Sequence, residues 1–351
     1  MGGDMTHLRK IISHRMINRR GLILGSAASL AASQGALISS ALGAEPLQKV
    51  NIVSTSGALV IGQLMKNKGF LQDFGIDGNI QAVSDGTKAL GALVGGDADI
   101  VVGTGFGQVL TAIEKGAKVK ILAGAGMLND AAIYTKKPDI KTCKDLEGKT
   151  VGVGALGALL HQIIVALLKS KGADPAKVNF VNVGSVVDVY RAVSAGIVDA
   201  GPGPADIYDQ LGRLGLFALS DGRLWTEMPD YTNQATYTTE KNITDKRDLM
   251  IRTMAAYAKL YRYIQEEDSF AAFAQARAQA NGKDDQQAAQ SQWKFYRDYK
   301  MFASELVLSD QRFNFMQKLN MDSGAQTAML AINQISDMSL AQDAVKLSKA
   351  K

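Results

Sequence analysis

Cysteine is almost missing from this chain: one residue, Cys143, in 351. No internal disulfide can staple the fold, and Cys143 does not sit where a lipid-bearing cysteine would follow a leader. Its Lys-rich surroundings, Lys136 to Lys149, suggest a solvent-facing or half-buried thiol. Histidine is nearly as scarce, with three residues, and only His161 lies beyond the first 44. One histidine and one cysteine cannot build a usual zinc site. A Ser-His-Asp triad would have to use His161, and no Gly-x-Ser-x-Gly elbow accompanies it. No Gly-x-x-x-x-Gly-Lys-Ser/Thr phosphate loop is present either. The expectation is therefore no catalytic residue, no metal ligand, no cofactor and no enzyme.

Long apolar runs are missing too, except at the start. Arg9, Lys10, Arg15, Arg19 and Arg20 precede an Ala/Ser-rich stretch without charge from Leu22 to Leu42. That order reads as an export signal over residues 1–44, cleaved near Ala44, with cleavage after Gly43 also acceptable. Asn18-Arg19-Arg20-Gly21-Leu22-Ile23 resembles a twin-arginine signal, departing from the usual pattern at Asn18 and Leu22. The alternative is an uncleaved anchor, which the Gly, Ser and Gln34 interruptions disfavour. No later stretch approaches the roughly 20 apolar residues that span a bilayer. Without the leader, 34 basic residues face 33 acidic ones. No basic footprint for a nucleic acid remains.

What is present is a repeat. Lys49 to Leu59 aligns with Lys149 to Leu159 without a gap, Asn79–Val83 with Asn179–Val183, and Ala92–Gly103 with Ala192–Gly203. Gly96, Asp99 and Gly103 fall on Gly196, Asp199 and Gly203. Matches at one offset of about 100 residues mean two copies of one α/β unit. Each reads as strand, loop, helix, strand, loop, helix, strand, predicting mostly parallel sheets flanked by helices. Ala132–Lys136 and Ala235–Thr239 share an alternating pattern and flank the second copy. Paired side by side, they would form a hinge near 131–137 and 233–240. Lobe 1 would then be 45–131 plus 235–351, and lobe 2 would be 132–234. Beyond Asp245 the pattern is helical, with helices near 267–280, 284–298 and 309–319; Trp293, Phe295 and Tyr296 read as packing.

Ligands of open parallel sheets sit at the carboxyl ends of the strands. The repeat points to three matched sets of turns there. Ser54-Thr55-Ser56-Gly57 and Gly154-Ala155-Leu156-Gly157 each open a helix, and helix starts with glycine can hold an anion on backbone N–H groups. Alone, either is an ordinary tight turn. In Ser84-Asp85-Gly86-Thr87 and Gly184-Ser185-Val186-Val187-Asp188, Thr87 and Ser185 either cap helices or bond a ligand. Asp85 and Asp188 either face a cationic group or complement a helix dipole. In the third set, Gly103-Thr104-Gly105-Phe106 and Gly203-Pro204, Thr104 is a donor candidate and Phe106 a wall or a core residue. His161, one turn into its helix, points to the cleft or to the sheet. The candidate ligand-binding set is thus Ser54, Thr55, Ser56, Gly57, Asp85, Thr87, Thr104, Phe106, Leu156, Gly157, His161, Ser185, Asp188 and Pro204.

These features resemble the periplasmic solute-binding proteins of ABC importers, of the nitrate, sulfonate, taurine and thiamine-precursor type (SsuA/TauA-like). Leu93-Val-Gly-Gly-Asp-Ala-Asp99-Ile, Lys144-Asp-Leu-Glu-Gly-Lys-Thr-Val-Gly-Val153 and Ala195-Gly-Ile-Val-Asp199-Ala carry the likeness, which covers about residues 47–320. The resemblance implies a type II two-lobed α/β fold with a helical C-terminal extension, closing over one small molecule by a hinge. It also implies a periplasmic monomer with a membrane permease and an ATPase as partners. Lys88 is the only basic residue in the inferred cleft turns, which favours an organic anion with an apolar body, a sulfonate or a carboxylate. A neutral or cationic heterocycle held by Asp85, Asp188 and aromatics is the alternative within the class. A sensory binding protein, or an exported enzyme on the same scaffold, are the alternatives outside it.

Overall fold

Residues 46–55, 58–154, 156 and 159–350 are described by a computed structural model. The leader over 1–44, with its cleavage point and export route, lies outside the described residues. Residues of the repeat form two five-stranded sheets. The first holds β1 (Gln48–Thr55), β2 (Ile76–Val83), β3 (Ile100–Gly105), β4 (Val119–Gly124) and β10 (Gln234–Thr239) in the order β2-β1-β3-β10-β4. The second holds β5 (Ala131–Thr135), β6 (Thr150–Val153), β7 (Asn179–Asn182), β8 (Ala200–Pro204) and β9 (Phe217–Arg223) in the order β7-β6-β8-β5-β9. Replacing each strand by its counterpart turns one order into the other.

Each sheet contains one strand running against the rest: β10 is antiparallel to β3 and β4, and β5 to β8 and β9. The expected side-by-side pairing of Ala132–Lys136 with Ala235–Thr239 therefore does not occur. The two stretches look alike because they occupy the same place in twin sheets. Their side chains confirm it. Thr135 Oγ1 donates to Asp199 O (2.7 Å), and Thr238 Oγ1 to Asp99 O (2.5 Å). Tyr134 OH donates to Pro204 O (2.9 Å), and Thr104 Oγ1 donates to Tyr237 OH (3.0 Å).

The repeated glycines and aspartates have structural reasons. Gly96 and Gly196 end their helices, Gly86–Gly95 and Val186–Ala195, in the left-handed conformation (φ 86° and 73°), which glycine adopts without Cβ strain. Asp99 accepts from Asn51 N (2.8 Å) and pairs with Lys246 (2.6 Å). Asp199 accepts from Thr150 N (2.8 Å) and pairs with Lys137 (2.5 Å). These bonds correct the ungapped alignment. Asn51 corresponds to Thr150, one residue short of the common offset, and β1–β2 and β6–β7 agree, with Asn51 beside Asn79 and Thr150 beside Asn179. The helices still start at Leu59 and Leu159, so lobe 2 carries one extra residue between strand and helix.

Cys143 is not a surface thiol. It is fully buried under β9, its N–H donating to Asp221 Oδ1 (2.8 Å), and burial pushes its thiol well above the usual range. Beyond β10 the chain is helical, including Arg247–Tyr263, Phe270–Asn281, Gln286–Asp298, Asp310–Asp322 and Ser339–Ala350. Trp293, Phe295 and Tyr296 are buried, and Trp293 Nε1 donates to Ser269 Oγ (2.8 Å). Among the described residues no helix is long and apolar enough to cross a membrane.

Candidate functional site

At the carboxyl end of β1, Ser54 is buried and its hydroxyl donates to Val102 O (2.7 Å), while Thr55 Oγ1 reaches Gly103 O at 3.5 Å. Both hydroxyls thus tie β1 to β3. Ser56, Gly57 and Gly157 lie outside the described residues, so the two glycine turns cannot be compared side by side. Leu156 is exposed on the surface of its turn. Ser54 and Gly103 do line a hollow with Gln234, Tyr257, Tyr261 and Phe302, but only about 10 Å³ is open there. One water needs at least that much. Phe302, stacked on Tyr261 at 5.1 Å, forms part of its wall.

The second set of turns is engaged in helix capping. Asp85 is the N-cap of Gly86–Gly95, accepting from Lys88 N (2.9 Å) and from Ser84 Oγ (2.7 Å). The Ser84 hydrogen bond, then the Lys88 N–H, hold its carboxyl below the usual range. Ser185 caps Val186–Ala195 in a reciprocal box with Asp188, whose oxygen accepts from Ser185 Oγ (2.6 Å). That hydroxyl and the Ser185 N–H lower Asp188 as well. Thr87 is exposed in the first turn behind Asp85. Of the two alternatives for Asp85 and Asp188, these bonds carry the helix-start role.

In the third set the side chains are likewise engaged within the fold. Thr104 has no exposed surface, and its hydroxyl is engaged by Tyr237. Phe106 is fully buried against Phe313, with ring centroids 5.5 Å apart, and walls no open cleft. Pro204 is half-buried, its carbonyl held by Tyr134. His161 is half-buried, edge-on to Phe180 at 4.7 Å, and burial lowers its pKa so that the neutral ring dominates at neutral pH. It lines a groove of about 230 Å³ between helix Leu159–Ser170 and the end of helix Asp310–Asp322. Gln162, Val165, Lys169, Leu319 and Asp322 complete it. This groove lies between a helix of the second sheet's layer and one from the C-terminal extension.

Sequence reasoning missed a different corner. β5 and β8 pair with Ala131 opposite Pro204, and Ala205 N donates to Asp130 O (2.8 Å). The carboxyl-bearing residues Asp130 and Asp206 therefore flank one strand end. Burial raises both carboxyls above the usual range, and each lies near enough for Asp206 to raise Asp130 further. Tyr208, two residues past Asp206, meets Trp225 edge to face at 5.8 Å, and Trp225 continues onto Phe295 of helix Gln286–Asp298 at 5.1 Å. Asp206-x-Tyr208 directly after β8 was a readable signal, but Asp130 and Trp225 join it only through the tertiary fold. Among the described residues no group of three or more His, Cys, Asp or Glu is arranged to hold a metal ion.

Two sheets of equal strand order, each with one reversed strand, and helices layered on them define the type II two-lobed periplasmic-binding-protein fold. The chain belongs to the NMT1/THI5-like family, whose profile matches residues 63–269. No curated protein sequence matches it. Among solved structures, it is similar to the SsuA protein of Methylobacillus flagellatus, a periplasmic sulfonate-binding protein of a sulfonate ABC transporter. That likeness has a TM-score of 0.70 and 15% identity, over 88% of this chain and 96% of that one. The aliphatic sulphonate binding protein SsuA of Escherichia coli aligns at a TM-score of 0.67 and 18% identity, over 83% and 92%. The desulfurization enzyme DszB aligns at 0.59 and 15%, over 87% and 100%.

Proposed function

We propose that this chain is the extracytoplasmic solute-binding component of an ABC importer. It is exported by its leader, works as a monomer in the periplasm, captures one small organic solute between its lobes and delivers it to a permease served by an ATPase. The observation that carries the reading is the twin-sheet architecture within the NMT1/THI5-like family. Closure over a ligand is then a population shift driven by contacts from both lobes. The sulfonate-binding neighbours support an organic anion, a sulfonate or a carboxylate, as solute. A neutral or cationic heterocycle is the second reading, and the buried carboxyls of Asp130 and Asp206, with Tyr208 two residues past Asp206, favour it. The fold alone does not separate binding from catalysis, since DszB shares it. His161 as the one histidine beyond the leader, without a Gly-x-Ser-x-Gly elbow, supports binding.

The test is thermal unfolding of the mature protein against a panel of sulfonates, carboxylates, amines and heterocycles. A true ligand at 100 times its Kd adds about 2.7 kcal/mol of stability. It should come back from the protein chemically unchanged. A panel without any stabilising compound, or turnover of one that binds, overturns the proposal.

A further inference from the structure

We propose that Asp130 and Asp206 form a subsite for a nitrogen-bearing head group, a protonated amine or amidine, on the solute. The inference rests on the solute-capture reading and names the chemistry of one end of the ligand. Its basis is an imbalance at the corner between β5 and β8. Two carboxyl-bearing residues meet there, and neither has a salt bridge among the described residues. Asp206 Oδ1 is buried without a hydrogen-bond partner. The basic group that acts on Asp206 is Arg277, and Arg277 Nε is already engaged by Gln292 Oε1 (3.0 Å).

A buried carboxyl oxygen without a donor is costly, and a donor on a bound solute would relieve it. A second observation stands beside it. Trp225 is 4% exposed, yet its indole Nε1 is also buried without a partner. Its ring sits edge to face with Tyr208, two residues past Asp206. Aromatic faces next to carboxyls are the usual environment of an organic cation, and the Trp225 N–H can serve an acceptor on the same ligand. A sulfonate or phosphate placed here would meet two acidic groups and one engaged guanidinium. The corner therefore selects against an anion there.

The test uses three matched probes on the mature protein: benzylamine, benzyl alcohol and benzenesulfonate, followed by calorimetry and thermal shift. Benzylamine is expected to bind at least tenfold more tightly than benzyl alcohol. Asp206→Asn and Asp130→Asn are each expected to weaken benzylamine tenfold or more while leaving benzyl alcohol unchanged. Both variants relieve a buried carboxyl, so their unfolding temperatures should equal or exceed wild type. The comparison between amine and alcohol on wild type needs no variant. Equal affinity for amine and alcohol, or benzylamine binding that both variants retain, overturns the subsite. If the wider panel stabilises the protein while benzylamine does not, the subsite fails and solute capture stands. If nothing in the panel binds, both fail.

Discussion

Removing the repeated aspartate tests the twin architecture most directly. Asp199 holds Thr150 N at 2.8 Å and Lys137 Nζ at 2.5 Å, with its side chain 23% exposed. Alanine there leaves a backbone N–H without its acceptor, at about 1–3 kcal/mol. It also removes a partly exposed ion pair worth about 0.2–1 kcal/mol. Asp199→Ala should therefore cost about 2 kcal/mol and lower the unfolding temperature by about 4 °C. Asp199→Asn keeps an oxygen for Thr150 N and should cost under about 1 kcal/mol. The Lys137 contact, then the Thr150 N–H, hold the Asp199 carboxyl below its usual range. A depressed carboxyl contributes stability above its unfolded value that is lost as pH falls through the folded one. The gap between wild type and Asp199→Ala should be full at pH 7 and begin to narrow below about pH 4. Asp99→Ala, which frees Asn51 N and Lys246, should match it in size at pH 7. Urea titration of the four proteins at pH 7 and of the Asp199 pair at pH 3 reads all of this. An Asp199→Ala protein within about 0.5 kcal/mol of wild type would show that the repeated aspartate is not a structural tie.

Two further outcomes follow from packing. Gly201→Ala would place a Cβ 2.4 Å from Val189 Cγ1 and 2.9 Å from the Gly152 carbonyl oxygen. Because one obstacle is backbone, the cost should be about 1–3 kcal/mol in urea unfolding, and a neutral result would mean that helix Val186–Ala195 shifts freely off the sheet. Cys143, buried with its thiol raised, should resist a thiol reagent in the native protein and react at once in denaturant. Fast labelling of the folded protein would contradict its place under β9.

The fold was legible because its signals are local and occur twice. Val50–Val53 and Thr150–Val153 read as strands from β-branched runs, and Gly96 and Gly196 mark helix ends that need a left-handed residue. Even so, the offset was one residue wrong across β6, because loop length between strand and helix leaves no periodic trace. The likeness of 132–136 to 235–239 was visible, but similarity in sequence meant equivalence of position rather than contact. The candidate site was harder to read. Asp85, Ser185 and Asp188 carry the residue types of both a helix cap and a polar site, and the caps claimed them. Phe106 and Thr104 sit at a strand end, yet Phe313 and Tyr237 from far along the chain bury them.

Periodicity, turn residues and duplication were enough to establish the class of fold and its two-lobed plan, since each is a property of neighbours along the backbone. Which polar side chains are taken by ties between elements depended on partners far along the chain, 48 residues for Ser54 and 178 for Arg252. The corner of Asp130, Asp206 and Trp225 belongs to that second kind. Its members are unremarkable one by one, and their meaning comes from the pairing of β5 with β8, which brings two acids to one strand end.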